Sequence, residues 1–261
     1  MDPTRRFSSR VEHYVKYRPS YPTGMIPFLA GQRVIAPGHV VADVGSGTGL
    51  LSEPFLEYGC RVIGVEPNRE MREAGDAMLA GHPSFSSVDG RAEATTLREA
   101  SVDLVVAGQA FHWFEPAAAR TEFARILRPP HNVLLVWNDR RTDAGTLMHE
   151  YESLLKTFGT DYTKVDHRRI GAEQLGEFFG PEGYREHVLP NRQSLDREGF
   201  EGRLMSSSYV PAEGAPGHPE LIEACRALFD RYQSAGRVAL EYDTRIYWGR
   251  IGRAKLPPGA P

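Results

Sequence analysis

An α/β fold, built on a seven-stranded, mostly parallel sheet with helices on both faces, is predicted by three observations. Short β-branched runs at 40–44, 61–66, 85–88, 101–107 and 133–138 alternate with amphipathic stretches, the pattern of strands linked by crossover helices. The first run ends at an acid, Asp43, just ahead of three glycines at alternate positions, Gly45, Gly47 and Gly49, which reads as a buried strand turning abruptly into a helix. Strand-like segments near 184–189 and 236–250 bring the count to seven. A chain of 261 residues suits one such domain carrying an insertion or a small cap.

Composition narrows the function classes. Lys and Arg total 31 against 34 Asp and Glu, a formal charge of -3, and both signs are interspersed. No global field therefore attracts nucleic acid or an anionic membrane, so neither is expected as a partner. Cys60 and Cys225 are far apart and lack C-x-x-C spacing, so buried free thiols are expected rather than a disulfide framework or a zinc site. No metal site is expected elsewhere. No run approaches the roughly 18 apolar residues of a membrane span, which predicts a cytoplasmic protein, as a monomer or homodimer.

The elements follow in order. Residues 1–30 read as an arm: Val11, Tyr14, Val15 and Arg18 fall at helical spacing, and Arg18-Pro19 with Tyr21-Pro22 stops that helix, because residues before proline avoid the α region. At the glycine turn, positive φ and the missing Cβ bring a ligand against backbone, where the first amides of a helix are free donors. A dinucleotide fingerprint needs G-x-G-x-x-G; here the third glycine comes one residue early and position 50 is Leu. Asp43 would repel a phosphate but accept from an ammonium group through water. A cationic, phosphate-free nucleoside fits better than a dinucleotide.

Leu50, Leu51, Phe55 and Tyr58 form one face of a short helix that Gly59 ends. The second strand stops at Glu66, at the carboxyl edge where open sheets bind ligands, and its carboxylate can accept from two ribose hydroxyls. Charge at a helix N-terminus is the alternative use. After the fourth strand, residues 108–114 bring Gln109, Phe111, His112, Trp113 and Phe114 to the same edge, where aromatic faces exclude water and attract a cation. A helix over 117–127 precedes the fifth strand, with Asn132 the residue of the intervening turn best suited to a left-handed conformation. Residues 140–183 read as a helical insertion over the pocket, with Met148, Tyr151, Leu154, Leu155 and Phe158 on one face. Helices near 197–207 and 220–234 flank a Gly- and Pro-rich loop, and the tail from 255 should fray.

The segment D-V-G-x-G-x-G, with Glu66 following, resembles the class I S-adenosylmethionine-dependent methyltransferases, whose fold is Rossmann-like with the last strand antiparallel beside the fifth. The arm V-x-x-Y-x-x-Y-R-P-x-Y-P and the F-H-W-F segment are similar to the small-molecule branch containing trans-aconitate methyltransferase and quinone C-methylases. The resemblance implies a cofactor site of Tyr14, Arg18, Asp43, Gly45, Ser46, Gly47, Gly49, Glu66, Met71, Ala92 and Gln109. Within it, Tyr14 and Arg18 lie near the methionyl carboxylate, Met71 packs on adenine and Ala92 offers a backbone contact. Arg91 departs from the pattern, since many relatives carry Asp there and arginine has no acceptor; Glu93, Asp89 or a carbonyl is left for the adenine amino group.

The expected activity is methyl transfer from S-adenosyl-L-methionine to a small molecule, a carboxylate or hydroxyl being favoured, in the remaining domain 31–261. For a hydroxyl, neutral His112 is the candidate catalytic base, with aromatic packing as its alternative role. For a carboxylate, Arg18, Arg140 or Arg141 would grip the acceptor, although Arg140 and Arg141 also suit ordinary surface duty. A nicotinamide oxidoreductase and a non-catalytic regulatory binder are the competing readings.

Overall fold

The computed structural model describes residues 11–159 and 170–252. The tail from 255, Phe7, Arg10 and the centre of the expected insertion lie outside them. Seven strands form one sheet in the order β3-β2-β1-β4-β5-β7-β6. They are β1 (Val40–Val44), β2 (Arg61–Val65), β3 (Phe85–Val88), β4 (Val102–Gly108), β5 (Leu127–Arg140), β6 (Tyr184–Leu195) and β7 (Val238–Arg250). The pairs among β1 to β5 are parallel, whereas β7 lies antiparallel to both β5 and β6. Only β7 is therefore reversed, and the predicted sheet is the observed one.

Strand periodicity divides the core. Alternate residues of one strand face opposite sides. Val105 and Ala107 thus join Val133, Leu135 and Trp137 beneath α5 (Pro116–Ile126) and α7 (Ala172–Phe179). Leu104 and Val106 join Leu134 and Val136 on the other face, under α2 (Met25–Gly31) and α3 (Ser52–Glu57). A third cluster packs α6 (Leu147–Phe158), α8 (Arg197–Met205) and α9 (His218–Tyr232) against Val238, Leu240 and Tyr242 of β7. That part of the β6–β7 ribbon runs past the parallel sheet, since Val238 pairs with Leu195 and Tyr242 with Arg140. A helical layer thereby overhangs the carboxyl edge of the sheet.

Three local differences have physical reasons. Helix α2 falls inside the polar, aromatic lead-in, where Met25 and Leu29, four residues apart, are fully buried on the sheet. In the turn before the straight part of β5, His131 and not Asn132 takes the positive φ, of 65°, because Asn132 is already paired with Leu104 and Arg250 in the sheet. The segment read as a single insertion contributes to two cores: α6 belongs to the overhanging layer, while Leu175, Phe178 and Phe179 of α7 return to the sheet.

The arm is fastened from both sides. Helix α1 (Val11–Tyr17) packs on α8 and on α4 (Arg69–Met78). Gly202 permits this, since a Cβ there would lie 2.1 Å from the Tyr17 ring. Beyond α1, the Gln193 amide donates to the Tyr17 carbonyl at 2.9 Å, and Asn191 and Asn138 both donate to the Ser20 carbonyl, at 2.7 and 3.3 Å. The arm then reaches Gly108 at the end of β4, where the Tyr21 hydroxyl occupies the space a Cβ would need, 2.2 Å away.

Candidate active site

The turn after β1 has the backbone its sequence requires. Gly45, Gly47 and Gly49 have φ of 71°, 55° and 85°, conformations that cost L side chains about 1–2 kcal/mol. Each is also hemmed in: a Cβ would meet Ala110 at 2.6 Å from Gly45, Met71 Cε at 3.3 Å from Gly47 and Leu79 at 2.5 Å from Gly49. Gly75 of α4 comes equally close to the Gly47 carbonyl, 3.1 Å from its would-be Cβ. Gly45 N donates to the Val65 carbonyl at 2.8 Å, and Ser46 N to the same carbonyl at 3.3 Å, which stitches the loop to β2.

Two buried carboxylates frame this loop. Asp43 is 1% exposed; its Oδ2 accepts from Ser52 Oγ at 2.7 Å, whereas its Oδ1 is buried with no hydrogen-bond partner. Burial pushes its carboxyl up to about 7 against the Ser52 bond, with the Glu66 charge adding to the rise. An orphaned carboxylate oxygen is costly unless something donates to it. Glu66 is better supplied, accepting from Gly47 N at 2.9 Å and Asn68 N at 2.8 Å. Burial still raises its pKa, opposed by those two amide bonds and by Arg72. Each carboxylate oxygen has two lone pairs, so both Glu66 oxygens keep acceptor capacity towards the loop.

The remaining predicted residues surround the same edge to different degrees. Met71, 4% exposed, lies against Gly47, and Asn68 caps α4 by accepting from Met71 N at 2.9 Å. Ala92, also 4% exposed, sits in a turn where Arg91 and Ala94 exchange backbone bonds. Arg91 is exposed, and Glu93 is taken up by accepting from Glu115 N at 2.8 Å. Gln109 has φ 56°, and its amide donates to the Val136 carbonyl at 2.9 Å. A non-glycine residue held left-handed at a ligand edge is local strain of the kind found at functional sites. The 3₁₀ turn Phe111–Trp113 buries Phe111 edge-on to Phe114, Trp137 and Phe178, and leaves His112 half-buried with its ring 4.7 Å from that of Trp113.

Arg18 stands apart from the loop. Its Nη2 donates to the Ser206 carbonyl at 2.9 Å, beyond α8. The Tyr14 backbone belongs to α1, but its side chain lies outside the described residues. Arg141 is a surface residue, 3.8 Å from both Glu241 and Asp243. Arg140 is not: it is 13% exposed and paired with the buried Glu152 at 3.0 Å, which corrects its surface reading. At the end of β5, Trp137 turns into the core, Asp139 pairs with Arg245 at 3.0 Å and Asn138 faces the arm.

Sequence reasoning missed Tyr21, Arg203 and Tyr209. Arg203 had a readable signal, a charge between Phe200 and Leu204 on a face that is otherwise buried. The cysteines are free and buried. Among the described residues no helix is long and apolar enough to cross a membrane.

The sheet is Rossmann-like, and residues 42–134 match the family model described as a methyltransferase domain. An uncharacterized methyltransferase of Mycobacterium tuberculosis is 40% identical over 144 residues, covering 55% of this chain and 56% of its own length, so the chain spans about half of that relative. An uncharacterized methyltransferase-like protein of Schizosaccharomyces pombe is 27% identical over 248 residues, covering 93% of this chain and 94% of its own. A solved structure from Anaeromyxobacter dehalogenans, provisionally classed as a type II methyltransferase, superposes with a TM-score of 0.59 at 26% identity, over 90% of this chain and 98% of that one.

Proposed function

We propose that the protein transfers a methyl group from S-adenosyl-L-methionine to a small-molecule acceptor. One observation carries the reading: a carboxylate with an unpartnered, fully buried oxygen, Asp43 Oδ1, at the root of a turn that exposes backbone through three left-handed glycines. An ammonium group or its bound water satisfies that oxygen, whereas a pyrophosphate would be repelled by it.

In this reading Gly45, Ser46, Gly47 and Gly49 supply the floor, Glu66 accepts from the ribose, Met71 and Ala92 border the adenine, and Gln109 closes the sulfonium end. Tyr14 and Arg18 belong to the covering arm. The cofactor supplies an electrophilic methyl on sulfur; displacement breaks the carbon–sulfur bond, leaves its electron pair on sulfur and forms the bond to the acceptor. Holding nucleophile and methyl in line is the protein's main task, worth about 7–11 kcal/mol in favourable cases. His112 takes the proton when the acceptor is a hydroxyl, and a carboxylate needs no base. Incubating the protein with methyl-labelled donor and a metabolite extract tests the reading: label in a small acidic or hydroxylated product supports it, and tight donor binding with no labelled product rejects turnover.

A further inference from the structure

The overhanging layer holds a charge arrangement centred on Arg203 of α8. Arg203 is 2% exposed, and its guanidinium bonds two neutral hydroxyls, Tyr242 and Ser206, each at 3.3 Å. No ion pair reaches it among the described residues. Beside it Tyr151 is fully buried, with a hydroxyl that has no hydrogen-bond partner. Arg140 lies opposite Tyr242 across the β5–β7 ladder and bonds Glu152, a carboxylate 3% exposed. Arg18 joins from the arm through the Ser206 carbonyl. Three cations thus converge here, with Glu152 paired to Arg140. Tyr209 registers them: burial pushes its phenol up, yet Arg140, Arg18, a Ser207 hydrogen bond and Arg203 together hold it below its ordinary value. A buried guanidinium is expensive unless an anion pairs with it.

Resting on the methyl-transfer reading, we propose that Arg18, Arg140, Arg203 and Tyr151 form a subsite for a carboxylate of the methyl acceptor. Two carboxylates can approach this edge, the acceptor's and the donor's own methionyl group, and the sheet separates them. Asp43 is level with Val106 of β4 and Leu134 of β5, while Arg140 lies two strands across and six residues further along. Strand spacing and rise place its backbone about 20 Å from that of Asp43. A methionyl carboxylate shares its carbon with the ammonium group assigned to Asp43, and cannot span that gap. The arm bridges the two regions: the Tyr21 hydroxyl lies at Gly108 and Arg18 Nη2 at the Ser206 carbonyl, from Cα atoms three residues and at most about 10 Å apart. A compact organic acid fits, its carboxylate a few bonds from the methylated atom.

The test is calorimetric titration of succinate, and of its neutral diamide, into the full chain saturated with S-adenosylhomocysteine. Succinate is expected to bind saturably and the diamide at least tenfold more weakly. Tyr151→Phe, which removes only the unpartnered hydroxyl, and Arg203→Lys should each weaken succinate fivefold or more, with S-adenosylhomocysteine affinity within twofold of the unmodified protein. Should either variant fail to fold by circular dichroism, Arg140→Lys takes its place. Equal binding of acid and diamide, or none of either, overturns the subsite. So does succinate displacing S-adenosylhomocysteine together with an equal loss of both affinities in Tyr151→Phe, which hands the cluster to the donor's carboxylate. Failure of S-adenosylhomocysteine to bind at all counts against the methyl-transfer reading, and is seen before succinate is added.

Discussion

Asp43 is the residue on which the site turns, and its ionisation is predicted to be visible. Its folded pKa, pushed up to about 7 by burial, lies above the unfolded value near 3.8. A carboxyl raised on folding stabilises the native state fully below the unfolded value, and that contribution is lost as pH rises through the folded one. The ligand-free protein should therefore lose stability between about pH 4 and 7 through this group, and Asp43→Asn should flatten that part of a urea-denaturation profile. Binding an ammonium group favours the carboxylate, so donor affinity should rise with pH across the same window and release protons, which calorimetry in buffers of different ionisation enthalpy detects. Glu66→Ala should weaken donor binding by about 1.5–3 kcal/mol for each charge-assisted bond removed. Because Glu66 also holds Gly47 N and Asn68 N, a lowered melting temperature is expected alongside. Unchanged affinity in a folded variant would reject the ribose role.

Elements carry the difference between what sequence shows and what folding assembles. Strands β1, β2 and β4 were legible because each is a short β-branched run that is largely buried, a pattern that survives without tertiary information. The glycine turn was legible for the same reason, since its backbone demands glycine wherever it occurs. Helix α2 was not, being seven residues embedded among prolines and tyrosines whose burial depends on the sheet they meet. The cationic cluster was still less so. Arg18, Arg140, Arg203 and Tyr151 come from four segments, and no spacing in one of them announces the others.

The arm gives a prediction at the element scale. Gly202→Ala gains helix propensity of roughly 0.5–1 kcal/mol but drives a methyl into the Tyr17 ring, so global stability should change little while α1 is pushed off α8. Faster tryptic cleavage after Lys16, with unchanged melting temperature, is the expected result. At the turn, Gly49→Ala meets both a positive φ and Leu79, and should cost at least about 1–2 kcal/mol in urea denaturation.

For the whole molecule, the sheet divides labour between its halves. Strands β1, β2 and β4 end at the glycine turn, Glu66 and Gln109, the parts assigned to the donor in the proposed reading. The long β5, β6 and β7 extend beyond them and carry α6, α8 and α9 as a roof, with the arm fastened between the two by Asn138, Asn191 and Gln193. Residues 42–134, which hold β2 to β4 and most of β1, match the methyltransferase-domain model, and the proposed acceptor subsite lies in the roof. The most direct test of the donor site is a pair of calorimetric titrations of the purified chain, with S-adenosylmethionine and with NAD. Saturable one-to-one binding of S-adenosylmethionine, weakened at least tenfold by Asp43→Asn and with NAD far weaker, is predicted. Tighter binding of NAD would contradict it.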